Sequence, residues 1–322
     1  MSISIPFVSS SEDLVTTQDA RRDGFLEIAL RRNRESIPYL DQGKALWAKL
    51  NAETKSCDDI LGMNEIRVAL LLAAGLSVKA QYHLTDGDKI KILEEFVGQV
   101  LRPCGEKYVD EVVYRYLLSL GDQLGGRMRN IIGAIAREKL SRRIIAQLRL
   151  RDLSFAIHYG KGKWVDCSNC ATIEEIEVKA IRWQNGNYQR MLVYNTNVPG
   201  VSQSKSKSNN VDIVVFNKFT NAVDKKHLEE ILGDQKNYVV MGELKGGIDP
   251  AGADEHWKTA RTALDRIRAT FKKVYIAFVG GAIEKAMADE IYNQLQSSTL
   301  DYAANLTNDN QLSSFCDWLI NQ

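Results

Sequence analysis

Glu243 and Lys245 stand two residues apart at the end of an apolar run, in the stretch "MGELKGGIDPAGADEHW" from Met241 to Trp257. Side chains alternate across a strand, so this spacing sends an acid and a base to one face and Leu244 to the other. Asp212 lies upstream inside "VDIVVF", a second apolar run, where an uncompensated carboxylate would be costly. Two carboxylates on neighbouring strands make a site for a hard cation. Magnesium suits it, because that ion accepts a few carboxylate oxygens, a carbonyl such as that of Leu244, water and a substrate phosphate. Phosphodiester hydrolysis uses this set. The ion lowers the pKa of a bound water, Lys245 orients the nucleophile and balances charge on phosphorus, and His256 is placed to act as general base.

Each member also has a plainer reading. Glu-x-Lys is often an exposed ion pair, and an aspartate at a strand end can bond a loop amide. His256 flanks the apolar stripe of a helix, and Asp249, Pro250 and Gly252 are common turn residues. The conjunction of Asp212 with Glu243, Lys245 and His256 favours a nuclease over any of these taken singly.

The elements that must position these residues follow from periodicity. "IEEIEVKAIRWQ" and "YQRMLVYNTNV" flank Asn185-Gly186 and predict a hairpin. "VDIVVF", "YVVMGEL" and "KVYIAFVG" read as short buried strands. A helix is expected from Ala253 to Phe271, with Trp257, Ala260, Leu264, Ile267 and Phe271 on one face, and another over "AIEKAMADEIYNQLQ". The first 150 residues read as helical: "NEIRVALLLAAGL", "DKIKILEEFVGQVL" and "YVDEVVYRYLLSLG" carry apolar residues at intervals of three and four. The expected class is α/β (α+β), a mixed sheet flanked by helices over residues 153–322 behind a mainly helical region, residues 1–152.

Composition narrows the function classes. A chain of 322 residues with 44% hydrophobic and 26% charged residues is globular, which excludes disorder and collagen-like order. No apolar run is long enough for a membrane span, the start lacks the blocks of a signal peptide, and five cysteines do not suggest a disulfide framework. A cytoplasmic protein is expected. Net charge is only +1, but the stretch from Arg127 to Arg151 sets many arginines against the single acid Glu138, a footprint suited to phosphates or a solvated helix face. "RRNR", residues 31–34, has the same ambiguity. Cys167 and Cys170 have no second pair to complete a zinc site, and His83, His158 and His227 lack ligand spacing.

Asp212 followed by Glu243-x-Lys245 resembles the PD-(D/E)xK nuclease superfamily. The longer string "GELKGGIDPAGADEHWKTA", with "RYLLSLGDQLGGRMRNIIGA", "VDIVVFN" and "AANLTNDNQLSSFCDWLIN", is similar to the AvaI/BsoBI family of type II restriction endonucleases. The resemblance implies a restriction-endonuclease-like core with a DNA-embracing helical region. It implies Mg2+ held by Asp212, Glu243 and Leu244, with Lys245 as motif lysine and His256 as general base. It also implies a homodimer on double-stranded DNA that cuts CYCGRG after its first cytosine, leaving 5′ overhangs, beside a cognate DNA methyltransferase. The matching DNA contacts are Asp249 in "GGID" and Lys79 in "SVKAQ". Arg127, Arg129 and Asn130 are expected at DNA, on a helix beginning near Arg127 after Gly125-Gly126 whose N-terminus suits phosphate; a glycine turn between two packed helices is the plainer reading of that pair.

Val211 replaces the superfamily's proline. In the polar loop 201–210, Lys205 and Lys207 are candidate DNA contacts on a segment less closely matched, so specificity can diverge there. The competing readings are a structure-specific nuclease of the same superfamily and a non-catalytic DNA-binding protein on a nuclease fold. The second would be expected to have lost Asp212, Glu243 or Lys245.

Overall fold

Helix-forming residues at three- and four-residue spacing dominate the first half of the chain, and β-branched runs the second. The computed structural model, which describes residues 5–160, 162–167, 178–199 and 208–322, follows that division. Two compact units result, Glu27–Asn130 and Met1–Leu26 with Ile131–Gln322. Texture alone places a division near residue 152, whereas the long fifth helix runs from one unit into the other.

Glu27–Asn130 is all helical. It contains most of α1 (Gln18–Glu53), α2 (Arg67–Ala73), α3 (Val78–Gln81), α4 (Asp86–Phe96) and the first half of α5 (Tyr108–Leu150). Its core gathers Leu50, Leu70, Leu71, Leu93, Leu101 and Val112. No helix among the described residues is long and apolar enough to cross a membrane.

The expected helix start at Arg127 is not there. Gly125 and Gly126 lie inside the unbroken α5. A helical glycine costs only about 1 kcal/mol relative to alanine. Here the buried stripe Val112, Tyr116, Leu120, Leu124, Met128 continues across the pair at a constant four-residue step. Packing along that stripe outweighs the glycine penalty, and no free helix N-terminus is left to take a phosphate.

The second unit is built on one eight-stranded sheet, ordered β2-β1-β3-β4-β5-β6-β7-β8. The strands are β1 (Phe155–Tyr159), β2 (Trp164–Asp166), β3 (Val178–Asn185), β4 (Tyr188–Pro199), β5 (Ser208–Phe216), β6 (Tyr238–Lys245), β7 (Tyr275–Gly280) and β8 (Tyr302–Asn305). Pairing is antiparallel from β2 through β6, then parallel for β6–β7 and β7–β8, which makes the sheet mixed as expected. The predicted hairpin forms one residue later. Asn185 pairs with Tyr188, so the loop is Gly186-Asn187, with Gly186 supplying the positive φ of 57°. A glycine at the first loop position is what a type II′ turn requires.

Helices α6 (Lys225–Leu232), α7 (Pro250–Thr270), α8 (Lys285–Gln296) and α9 (Asp309–Asn321) complete the unit. The face predicted for α7 is the one buried, through Ala253, Trp257, Ala260, Leu264 and Ile267. These residues join Ala136, Leu140, Ile144 and Leu148 of α5 in a single core with the strands. Strands β6 and β7 are buried along almost their whole length, as expected for a parallel pair covered on both faces.

Candidate active site

The ladder between β5 and β6 ends at the pair Ile213–Gly242. One step further in the same register, Asp212 and Glu243 face each other where the strands are no longer paired. The Leu244 N–H, released from the ladder, donates to Asp212 Oδ2 at 3.0 Å. The Lys245 ammonium donates to the same oxygen at 2.8 Å and to Glu243 Oε2 at 2.6 Å. One cation thus bridges two carboxylates from adjacent strands, the convergence that alternation along "GELK" predicts.

The electrostatics follow from depth. The Glu243 side chain is only 4% exposed, against 21% for Asp212. Burial, and then the neighbouring Asp212 carboxylate, raise the Glu243 pKa to about 7. Lys245 feels the opposite balance. Burial acts against its charge, but Glu243 and Asp212 outweigh it and hold the ammonium above the ordinary lysine range.

This donor set fits a divalent cation. Two carboxylates crowd each other with a single ammonium to offset them, an arrangement that a more highly charged hard ion would relieve. No group of three or more His, Cys, Asp or Glu capable of holding a metal occurs among the described residues. Backbone carbonyl, such as that of Leu244, and water remain as further ligands, a mixture magnesium accepts.

Backbone packing fixes the strand end that carries Lys245. A Cβ on Gly246 would stand 2.6 Å from Ala136 Cβ and 2.7 Å from Ile132 O, so only glycine lets this loop lie against α5. Gly281, just past β7, donates its N–H to the Lys245 carbonyl at 2.7 Å. On the other flank, Asn195 of β4 has φ 51°. It falls opposite Asp212 at a step missing from the β4–β5 register, between the pairs Tyr194–Ile213 and Thr196–Val211. Asparagine tolerates this left-handed conformation better than other non-glycine residues. Nothing in the local sequence singles out Asn195 for this place. It is the first exposed position after the buried run Arg190–Tyr194 of β4.

His256 is not brought into hydrogen-bond contact with the carboxylates. It is exposed on α7, with its imidazole over Gly252 and Gly247, Nε2 lying 3.3 Å and 3.7 Å from the positions their Cβ atoms would take. Gly247 follows Lys245 by two residues, and Gly252 lies in the first turn of α7 itself. Asp249 caps α7, its Oδ1 accepting from the Ala251 N–H at 2.9 Å, and is otherwise exposed.

Lys79 is exposed on the short α3, whose N-cap is Ser77. Arg127 pairs with Glu35 at 2.8 Å, a carboxylate that also accepts from Arg31 at 3.1 Å. Arg129 and Asn130 are exposed on α5. Lys205, Lys207 and Cys170 lie outside the described residues. The rest of the basic strip is largely engaged within the fold: Arg143 pairs with Asp309 at 2.8 Å, Arg142 with Glu138 at 2.6 Å, and Arg151 with Asp317. Arg143, and Arg151 just past the end of α5, thus hold α9, while Arg142 is balanced within α5.

The family described as "Restriction endonuclease BsobI" matches residues 6–322. The type II restriction enzymes AvaI of Nostoc sp. and of Anabaena variabilis are each 42% identical over 318 residues, covering 97% of this chain and 98% of theirs. The type II restriction enzyme BsoBI of Geobacillus stearothermophilus is 41% identical over 322 residues, covering 98% of this chain and 97% of its own. With near full-length coverage on both sides, and Asp212, Glu243 and Lys245 assembled at one strand end, the chain belongs to the BsobI restriction endonuclease family.

Proposed function

We propose that this protein is a type II restriction endonuclease, a homodimer that hydrolyses double-stranded DNA at a palindromic site in the presence of Mg2+. The site expected from the family is CYCGRG, cut after the first cytosine to leave 5′ overhangs. The observation that carries the reading is the Lys245 ammonium shared by Asp212 and Glu243 in a chain of this family. Neither alternative reading gains a comparable observation, and a decayed nuclease would not be expected to keep all three groups.

Asp212, Glu243 and the Leu244 carbonyl would hold the magnesium. When bound, the ion supplies Lewis acidity at a phosphate oxygen and lowers the pKa of water. Lys245 orients the attacking water and offsets negative charge on the phosphoryl oxygens. His256, at the mouth of the same loop, accepts the proton that the water loses. Asp249 and Lys79 contact the recognition site, and Arg129 and Asn130 the backbone, as does Arg127 once it exchanges Glu35 for phosphate. Lys207 completes the set from the 201–207 segment.

A two-fold dimer matches a palindrome by symmetry. Within the helical unit, Leu30, Ile37 and Leu40 of α1 and Tyr114 and Leu118 of α5 are all exposed, apolar side chains of the kind a partner subunit would cover. We place the dimer contact there. Free thiols at Cys57, Cys104 and Cys316 suit a reducing bacterial cytoplasm, where a cognate methyltransferase would protect host sites.

The test is digestion of a plasmid carrying one CYCGRG site, with Mg2+ and with EDTA, followed by sequencing of the ends. A single Mg2+-dependent cut after the first cytosine is expected. Discrete cuts elsewhere would keep the chemistry and move the specificity. Binding without cutting would overturn the enzyme reading.

A further inference from the structure

Thr16 makes no contact with Asp212, Glu243 or Lys245, yet it is 2% exposed and its hydroxyl is fully used. Its Oγ1 donates to the Gly281 carbonyl at 2.8 Å and accepts from the Ile283 N–H at 2.9 Å and from Asn305 Nδ2 at 2.9 Å. Its backbone N–H donates to the Ile283 carbonyl at 2.9 Å. Asn305 also donates to the Leu14 carbonyl, and its N–H is taken by Gln311 Oε1 at 2.8 Å. This is a satisfied buried polar network, the kind that fixes one backbone arrangement over its competitors.

The network ends on the site. Gly281, held through its carbonyl by Thr16, donates its N–H to the carbonyl of Lys245 at 2.7 Å. Its α-carbon backs onto the next turn, since a Cβ there would be 2.7 Å from Gly247 O and 3.2 Å from Gly246 O. Two turns beyond Thr16, Gly24 of α1 lies so close to Ile248 that a Cβ would meet Ile248 Cγ1 at 2.6 Å. Between them Arg21 pairs with Glu284. The segment from Leu14 to Gly24 therefore braces the loops that follow both β6 and β7.

We propose that Thr16 is a positioning residue for the hydrolysis, setting through Gly281 the backbone from which the Lys245 ammonium reaches its two carboxylates. The proposal rests on the nuclease reading above. A displaced lysine should slow the chemical step and leave DNA affinity alone, because no residue of the brace is among the proposed DNA contacts.

The experiment measures single-turnover cleavage at saturating duplex, using a site that the wild-type protein is first shown to cut, together with duplex affinity and thermal stability. Thr16→Val keeps the side-chain shape and removes the hydroxyl. Its maximal rate is expected to fall about tenfold to a hundredfold, the scale on which small misplacements act. Affinity should stay within about twofold, and Thr16→Ser should recover most of the rate. Gly281→Ala presses on the same loop without touching Thr16 and should show the same split. Wild-type rates in either folded variant would overturn the proposal. So would failure of both to fold, or lower stability without a slower rate, since Thr16 would then serve folding alone. A wild-type protein that cuts no DNA would instead remove the nuclease reading at the first step.

Discussion

Lys245 keeps its charge although burial opposes it, because the Glu243 and Asp212 carboxylates both reach the ammonium. The same crowding raises Glu243 to about 7. Glu243→Ala removes one proposed ligand and leaves Lys245 paired with Asp212 alone. We expect cleavage to fall by about a thousandfold or more, since a charge-stabilising group is lost from the reacting centre. DNA affinity, measured by anisotropy in Ca2+ or without metal, should change by less than about threefold, because the contacts assigned to DNA lie on other residues. Affinity falling in step with activity would contradict this division of labour. The three charged residues were legible in the sequence because alternation along a strand is a local rule. Thr16 and Asn195 were not. A polar residue gains its role from partners far along the chain, and Thr16 meets Gly281 and Asn305 only after the sheet has formed.

At the scale of elements, strands and helices were read where one periodicity held and misread where two local rules competed. The α7 face was plain from its spacing, and β5, β6 and β7 from their apolar runs. The Gly125-Gly126 pair looked like a helix break because glycine is a poor helix former, but the stripe from Val112 to Met128 carries α5 across it. The arginines beyond it suit a phosphate footprint or a solvated helix face by sequence alone, whereas Asp309 and Asp317, which pair with Arg143 and Arg151, lie more than 150 positions away by number and could not be foreseen as partners. Gly246 is the element-scale counterpart of Lys245. Its missing side chain lets the end of β6 rest on the backbone of α5, and neither Ile132 O nor Ala136 Cβ can move as a flexible side chain could. Gly246→Ala should therefore cost about 1–3 kcal/mol of stability, the usual range for an overpacked core. Chemical denaturation would measure this, and Gly233→Ala, where a Cβ meets nothing within 4 Å, is the control. Equal stability of the two variants would show that the loop is not clamped.

For the whole molecule, the apolar side chains exposed along α1 and α5 call for a partner. Tyr114 is 62% exposed and Leu118 72%, a degree that scattered surface residues can reach singly but that Leu30, Ile37 and Leu40 repeat on the neighbouring helix of the same unit. The two helices run antiparallel there, tied by Tyr116 Oη to Gln42 at 3.0 Å and by Trp47 Nε1 to Asp110 at 3.1 Å. Their outward apolar residues thus form a surface that does not depend on loop conformation. A cavity beside it is lined by Arg32, Tyr114, Leu117, Leu118, Gly121 and Asp122. A second copy meeting this surface about a two-fold axis would bury it, and only such a pair presents two identical sites to the two strands of a palindrome. The double variant Tyr114→Glu with Leu118→Glu places like charges at the contact while changing no residue assigned to catalysis. Sedimentation at micromolar concentration should show the wild type as a dimer and the variant as a monomer, with circular dichroism unchanged. The monomer should lose cleavage of both strands in one binding event and accumulate nicked plasmid. A wild-type monomer would sink the dimer reading, and a variant that still sediments as a dimer would move the contact to another surface.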